Sequence, residues 1–369
     1  MNTRLRPKII ILFFARLLGF FKISAYLTRS RLRILCYHGG LIGDEDGFNP
    51  KLFCSAKTLS ARMKWMQAYG FQFVTLDDGV KQQTATARRN PLRAVVTFDD
   101  GWYSTGSELI PVLSSLGIPS TLYLSTENFI EGWPILNVTV RYTIWKAGQR
   151  SVSIQGWGAE VDGVYDLGNP GERSRLATGI VAAIHSEAHE RGQVCAVLDR
   201  FASDLGVPSA TLQIDSRRFD YMTPTELLEI AAKGCSIESH GHVHHYPRNQ
   251  PLKFAEDLRQ CENIIVGMGL NRPTHYCYPS GSFDALASDP LAEAGISSAT
   301  TCIPGLVDVI SGAHRYYLPR FLDGENVHSI EFEAEMSGFS EMVRNAVRRI
   351  KRARAPLYVD LDKQVRAEA

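Results

Sequence analysis

The sequence predicts an α/β protein built on a parallel sheet or barrel. Three observations predict it. Short runs rich in β-branched and aromatic residues alternate with segments of helical apolar period. One of these runs, Arg93–Phe98 (RAVVTF), is apolar at nearly every position, the pattern of a strand covered on both faces. The alternation stops near residue 134 and resumes near 218, so the stretch between reads as an insertion in a single βα framework.

Taken in order, Leu32–Gly40 (LRILCYHGG) reads as a buried strand ending in Tyr37-His38 and a glycine turn. Ser55–Gly70 is a helix, with Ser55 to cap it, Leu59, Met63 and Met66 on one face and Gly70 to stop it. Strand Phe71–Leu76, strand Arg93–Phe98, helix Gly106–Gly117 and strand Ser120–Ser125 follow. The insertion reads as short strands at 150–157 and 160–168, a helix from about Glu172 and another over Val194–Leu205. The framework returns with a helix at Thr223–Gly234, where Thr223 and Glu226 have the spacing of a capping box. Strand 235–239, helix 252–269, strand 275–279, a helix over 283–295 interrupted near Pro290, strand 297–301 and the return 315–322 complete it. The tail from residue 326 is helical and then basic.

Net charge is only +1 in 369 residues, which removes any global electrostatic case for nucleic-acid binding. Nor do the basic ends interleave aromatics as a base-stacking surface does. Seven cysteines at no regular spacing fit neither a disulfide framework nor a zinc knot and point to a reducing compartment. Residues 1–32 are expected to form a basic amphipathic arm. On one helix Arg4, Lys8, Arg16 and Lys22 share a side, and Ile9, Phe13, Leu17, Phe20 and Phe21 the other, as in a helix lying on an anionic membrane surface, the alternative being a helix packed on its own globule. The expected location is the cytoplasm, at the inner face of the cell membrane; the alternative is an anchored or exported protein.

Two Asp-Asp-Gly stretches carry the candidate chemistry. Asp77-Asp78 begins a polar segment without catalytic neighbours and reads as a helix cap. Asp99-Asp100 ends the apolar strand, where the loops of a parallel sheet or barrel gather. Two adjacent carboxylates there stay ionised only beside a cation or strong donors. Histidines 240, 242, 244 and 245 follow strand 235–239 directly. His240 and His244, four apart, can meet one ion from a helical turn. With an aspartate they leave a position open for water, as in a catalytic rather than a structural site.

Thr97-Phe98-Asp99-Asp100-Gly101 and Ser239–His244 (SHGHVH) resemble the first two motifs of the polysaccharide deacetylases, the NodB-homology or carbohydrate esterase family 4 group. Tyr276–Asp284 (YCYPSGSFD) resembles the third motif in its Tyr-Pro-x-Gly form, and Tyr317–Leu322 (YLPRFL) a Leu-Pro-Arg segment near the end of the domain. The resemblance spans residues 33–325 and implies a distorted (β/α)7 barrel carrying the insertion. It implies Asp99 as general base, and Asp100, His240 and His244 as ligands of a divalent metal, zinc first. The backbone N–H of Ser280, after Pro279, is the implied oxyanion donor, and Tyr278, Pro279 and Phe283 are the implied sugar-site residues, with core packing the alternative for Tyr278 and Phe283. Two positions depart from the family. Cys277 stands where many members place an arginine that orients the base, with Arg320 as its substitute. A late Leu-x-x-x-His segment, the usual source of the general acid, has no clean match; His314 and His328 lie in that third of the chain.

The expected activity is removal of N-acetyl groups from an amino sugar of a bacterial polysaccharide or lipid-linked glycan precursor. The alternatives are an O-acetyl esterase, a deformylase, or a carbohydrate-binding protein of the same fold without catalysis.

Overall fold

The computed structural model of the chain describes residues 7–81, 91–309 and 314–350. Seven parallel strands form its centre: β1 (Leu32–Tyr37), β2 (Leu92–Asp100), β3 (Ser120–Leu124), β4 (Cys235–Ser239), β5 (His275–Cys277), β6 (Ser298–Thr300) and β7 (Phe321–Leu322). Their spatial order is β6-β5-β4-β3-β2-β1-β7. Thr300 at the end of β6 bridges in parallel to Leu318, on the segment that continues into β7, and so brings the two ends of the sheet together. The expected distorted barrel is therefore observed. Its irregularity is local: β4 and β5 share one paired position, Tyr276 with Ser239, and β7 has two residues. A short strand, Phe71–Phe73, pairs with the start of β2.

Strand alternation explains what faces inward. In β1 and β2, Ile34 and Val95 belong to a cluster inside the ring with Tyr123 and Cys277. Leu35, Tyr37, Val96 and Phe98 belong to the larger cluster under the outer helices. Each fully buried side chain of this size contributes about 1.5–3 kcal/mol, so a one-residue register slip in β2 would be severely destabilising. The same period aims Asp99, two positions beyond Thr97, into the ring.

The insertion shares the barrel's core, since Val140, Ile180 and Leu198 belong to the same apolar cluster as Val96 and Phe98. It contains helix Leu136–Ala147, an antiparallel pair (Ser151–Ile154 with Gly163–Asp166), and helices Pro170–Glu187 and Arg191–Asp204. Helix Leu136–Ala147 has no counterpart in the sequence reading. Its segment, LNVTVRYTIWKA, is rich in β-branched residues, but Val138, Val140, Tyr142 and Ile144 are buried against the core. Packing overrides propensity there.

The arm differs from its expected form. It is two helices, Pro7–Leu17 and Phe20–Leu27, bent by 76° at a break where Gly19 adopts φ 82°. Ile9, Leu12 and Ala15 are buried against Ile330 and Ala334 of helix Ser329–Met336, while Leu17 is exposed. Lys8 and Arg16 pair with Glu331 and Glu333 of that helix. Within Pro7–Leu17 the buried face therefore includes the side of Lys8 and Arg16 and leaves Leu17 outward, because Glu331 and Glu333 draw the two cations onto the body. No single described helix is long and apolar enough to cross a membrane. Helix Phe339–Ile350 ends the described chain, so the basic residues beyond it lie outside the described residues.

Candidate active site at the carboxyl ends of the strands

The last residues of β2 build the site. Asp100 has φ 75° and Gly101 φ 94°, a left-handed turn that ends the strand abruptly. Only glycine suits the second position, since a Cβ there would lie 2.5 Å from Leu124 Cδ1. Positive φ at a non-glycine residue is strained and clusters at functional positions. The turn brings Asp100 Oδ1 to 3.2 Å from His240 Nε2 and 3.1 Å from His244 Nε2.

The two histidines come from an irregular loop, not the helical turn expected from their spacing. Gly241 has φ 81° and His244 φ 49°, so the chain coils without a helix. Asp257, from helix Pro251–Gly267, organises the loop by accepting the His242 and Val243 N–H groups at 3.0 and 2.9 Å. A Cβ on Gly241 would meet that carboxylate at 2.6 Å. His240 Nδ1 lies 2.8 Å from the Cys277 carbonyl; donating there leaves Nε2 as an acceptor aimed at Asp100. Three ligand atoms of Asp100, His240 and His244 lie within 4.8 Å of one another. A carboxylate and an imidazole lone pair facing one another call for a cation between them, and this N/O donor set fits a divalent metal.

Asp99 lies beside this cluster and is almost wholly buried. Arg320, also buried, donates from Nη1 to Asp99 Oδ1 at 2.7 Å and from Nη2 to Oδ2 at 2.8 Å. Its Nε donates to the Thr301 carbonyl, and the Cys277 thiol sits 3.0 Å from Nη2. Burial alone would raise the Asp99 pKa, but Arg320, followed by His240 and His38, outweighs it and holds the carboxyl below its ordinary range. Asp100 is likewise held low, with burial opposed by His244 and His240. Arg320 thus brings to Asp99 a guanidinium that Cys277 cannot supply, from the segment before β7.

The other expected residues fall as follows. Ser280 follows Pro279 in a tight turn, exposed and at φ 54°. Tyr278 and Phe283 are buried in an aromatic cluster, with Tyr278 5.1 Å from Tyr276, 5.3 Å from Phe283 and stacked on Tyr317. Both therefore serve core packing and not an open sugar wall. His328 caps helix Ser329–Met336, accepting the Ile330 N–H, and His314 is exposed. His242 is pinned by Thr126 at 3.0 Å, and His245 is exposed. Asp77 and Asp78 occupy the first turn of helix Leu76–Val80, but Thr75 is the residue that caps it.

One site residue escaped the sequence reading. His38, directly after β1, places Nε2 3.8 Å from Asp99 Oδ2 and is partly exposed. The signal was present in the strand Leu32–Tyr37, since parallel strands that pair in register, Tyr37 with Phe98, end together. The segment that leads out of the insertion also reaches the site: Trp102 bridges to Tyr221, and the Met222 N–H donates to the Gly101 carbonyl.

Fold and site together define an α/β barrel with an acid–histidine cluster of metal-site type at the carboxyl mouth. Residues 193–299 match the model of the family described as polysaccharide deacetylase. The matched span holds His240, His244 and Ser280, and the barrel brings Asp99 and Asp100 to them. The putative polysaccharide deacetylase YxkH of Bacillus subtilis is 27% identical over 95 residues, 26% of this chain and 32% of that protein. The alignment thus spans about a third of the length of that relative. Among solved structures, the Streptococcus pyogenes deacetylase PplD in complex with acetate superposes with a TM-score of 0.54 at 13% identity. That superposition covers 83% of this chain and 98% of PplD, and it establishes the shared fold. A de-N-acetylase from Aggregatibacter actinomycetemcomitans reaches 0.49 at 13% identity, covering 83% and 99%.

Proposed function

We propose that this protein is a metal-dependent hydrolase that removes N-acetyl groups from an amino sugar of a bacterial polysaccharide or lipid-linked glycan precursor. The observation that carries this reading is the adjacency of Asp100, His240 and His244 to a second carboxylate, Asp99, both of whose oxygens are engaged by Arg320. Asp100, His240 and His244 would hold the ion, zinc fitting the donor set best. A bound divalent ion supplies Lewis acidity and lowers the pKa of water. Asp99 takes the proton of the attacking water, and Arg320 holds the carboxylate in place for it. His38, on the Oδ2 side of Asp99, delivers a proton to the departing amine. The Ser280 N–H is the donor assigned to the developing oxyanion. The relatives' names, deacetylase and de-N-acetylase, favour an amide of acetate as the bond cleaved.

The test is acetate release from bacterial glycans and lipid-linked N-acetylated amino sugars, with metal-loaded wild type beside Asp99→Asn and His240→Ala. Loss of release in both variants, with metal retained only in Asp99→Asn, separates base from ligand. A metal-loaded wild type that binds glycan without releasing acetate would favour a carbohydrate-binding protein instead.

A further inference from the structure

Apart from Lys8, Arg16 and Lys22 the described residues of the arm present mostly apolar side chains, yet the arm packs on only one face. Its inner face, Ile9, Leu12 and Ala15, meets Ile330 and Ala334, and Phe21 meets Phe339 at 5.2 Å. Its outer residues Ile11, Phe14, Leu17, Leu18, Ile23 and Leu27 are each more than half exposed. A contiguous exposed apolar patch of this size marks an interaction surface. The adjoining helix Phe339–Ile350 adds partly exposed Val343 and Val347.

Charge identifies the occupant. Residues 1–33 contain eight Lys and Arg and no acid. Lys8, Arg16 and Arg31 are neutralised by Glu331, Glu333 and Glu341 of the two following helices. Lys22 is exposed between Phe20 and Ile23. Past Arg344, the sequence adds Arg348, Arg349, Lys351, Arg352 and Arg354 with no intervening acid. A second copy would bring like charge against like charge across a two-fold contact, since the arm carries no carboxylate to answer Lys22. An anionic bilayer surface meets both the apolar patch and the cations.

We infer that the arm and the tail helix form a rigid foot that seats this protein on an anionic membrane surface without spanning it. The packed inner face and the 76° bend oppose a lipid-wrapped span, because crossing would strip Ile9, Leu12 and Ala15 from the body. The clamp makes the foot part of the folded body, so membrane contact and the orientation of the barrel are fixed together. This inference does not depend on the deacetylase reading.

Flotation of the full chain with vesicles tests it. Wild type is expected to float with phosphatidylcholine–phosphatidylglycerol vesicles, weakly with phosphatidylcholine alone, and less at high salt. Leu17→Glu and Leu18→Glu are each expected to reduce partitioning on the order of tenfold or more, with unchanged thermal melting because both side chains are exposed. Lys22→Glu is expected to weaken binding to the anionic vesicles alone. Failure of wild type to float, or flotation untouched by both leucine variants, overturns the proposal. So does resistance to alkaline carbonate extraction, which marks a span, or a dimer in solution that Leu17→Glu dissolves.

Discussion

Arg320 and Asp99, 221 residues apart, form a buried two-point ion pair in which each guanidinium nitrogen meets a different carboxylate oxygen. Such a fork fixes the plane of the carboxylate as well as its charge. Arg320→Lys keeps the charge and loses the fork. It is expected to lower kcat roughly tenfold to a hundredfold with little change in KM, since the base is misaimed and not the substrate. Arg320→Met strands the carboxylate and is expected to cost about 3–5 kcal/mol of stability. Steady-state kinetics and denaturant titration of the two variants separate positioning from folding.

His38→Gln removes the proton donor proposed for the leaving amine and touches none of the ligand atoms. Metal content should stay at the wild-type level while kcat on an N-acetylated amino sugar falls about a hundredfold or more. An aryl acetate needs no protonation of its leaving group, so that substrate should be nearly indifferent to the change. Equal losses on amide and aryl ester would remove His38 from the acid role.

Chelation should abolish acetate release and lower the melting temperature, both restored by added zinc. An ion at a hundredfold above its dissociation constant adds about 2.7 kcal/mol to stability. His244→Ala removes one of three ligands and should erase both the zinc-dependent melting shift and activity. Differential scanning calorimetry with and without zinc reads the first effect independently of any substrate.

The barrel and most of the site were legible because their causes are local. The run before Asp99 is apolar on both faces, Ser55 and Thr223 cap the helices their spacing predicts, and the histidines follow a strand directly. What the sequence hides depends on chain reversals. Asp100 and His244 take left-handed φ values that no residue pattern announces. His38 joins the site only through the pairing of β1 with β2. Arg320 was a candidate from the sequence, but only closure of the ring carries its guanidinium to Asp99. Helix Leu136–Ala147 reads as strand by propensity, and the arm reads as one helix because the turn at Gly19 is invisible in a wheel.

A second titrating pair, where the end of β4 meets the start of β5, has a consequence for stability. His275, at the head of β5, is lowered to about 4 by burial, against which Asp77 at 3.7 Å acts weakly. Glu238 accepts the His275 and Thr274 N–H groups at 2.8 Å and is raised to about 7, chiefly by burial. The signs oppose. The lowered histidine contributes stability present above its unfolded pKa near 6.5 and lost as pH falls through 4. The raised glutamate contributes stability present below its unfolded pKa near 4.5 and lost as pH rises through 7. Each contribution amounts to about 3 kcal/mol at most, and the windows overlap between about 4.5 and 6.5, so they largely cancel in the wild type. Glu238→Gln should leave the histidine unopposed, and its stability should fall relative to wild type as pH drops from 7 to 4.5. His275→Asn should show the reverse, gaining on the wild type over the same interval. Urea titrations of the three proteins at pH 5 and pH 7 check this, and parallel curves at both values would remove the pair from the pH dependence of the fold.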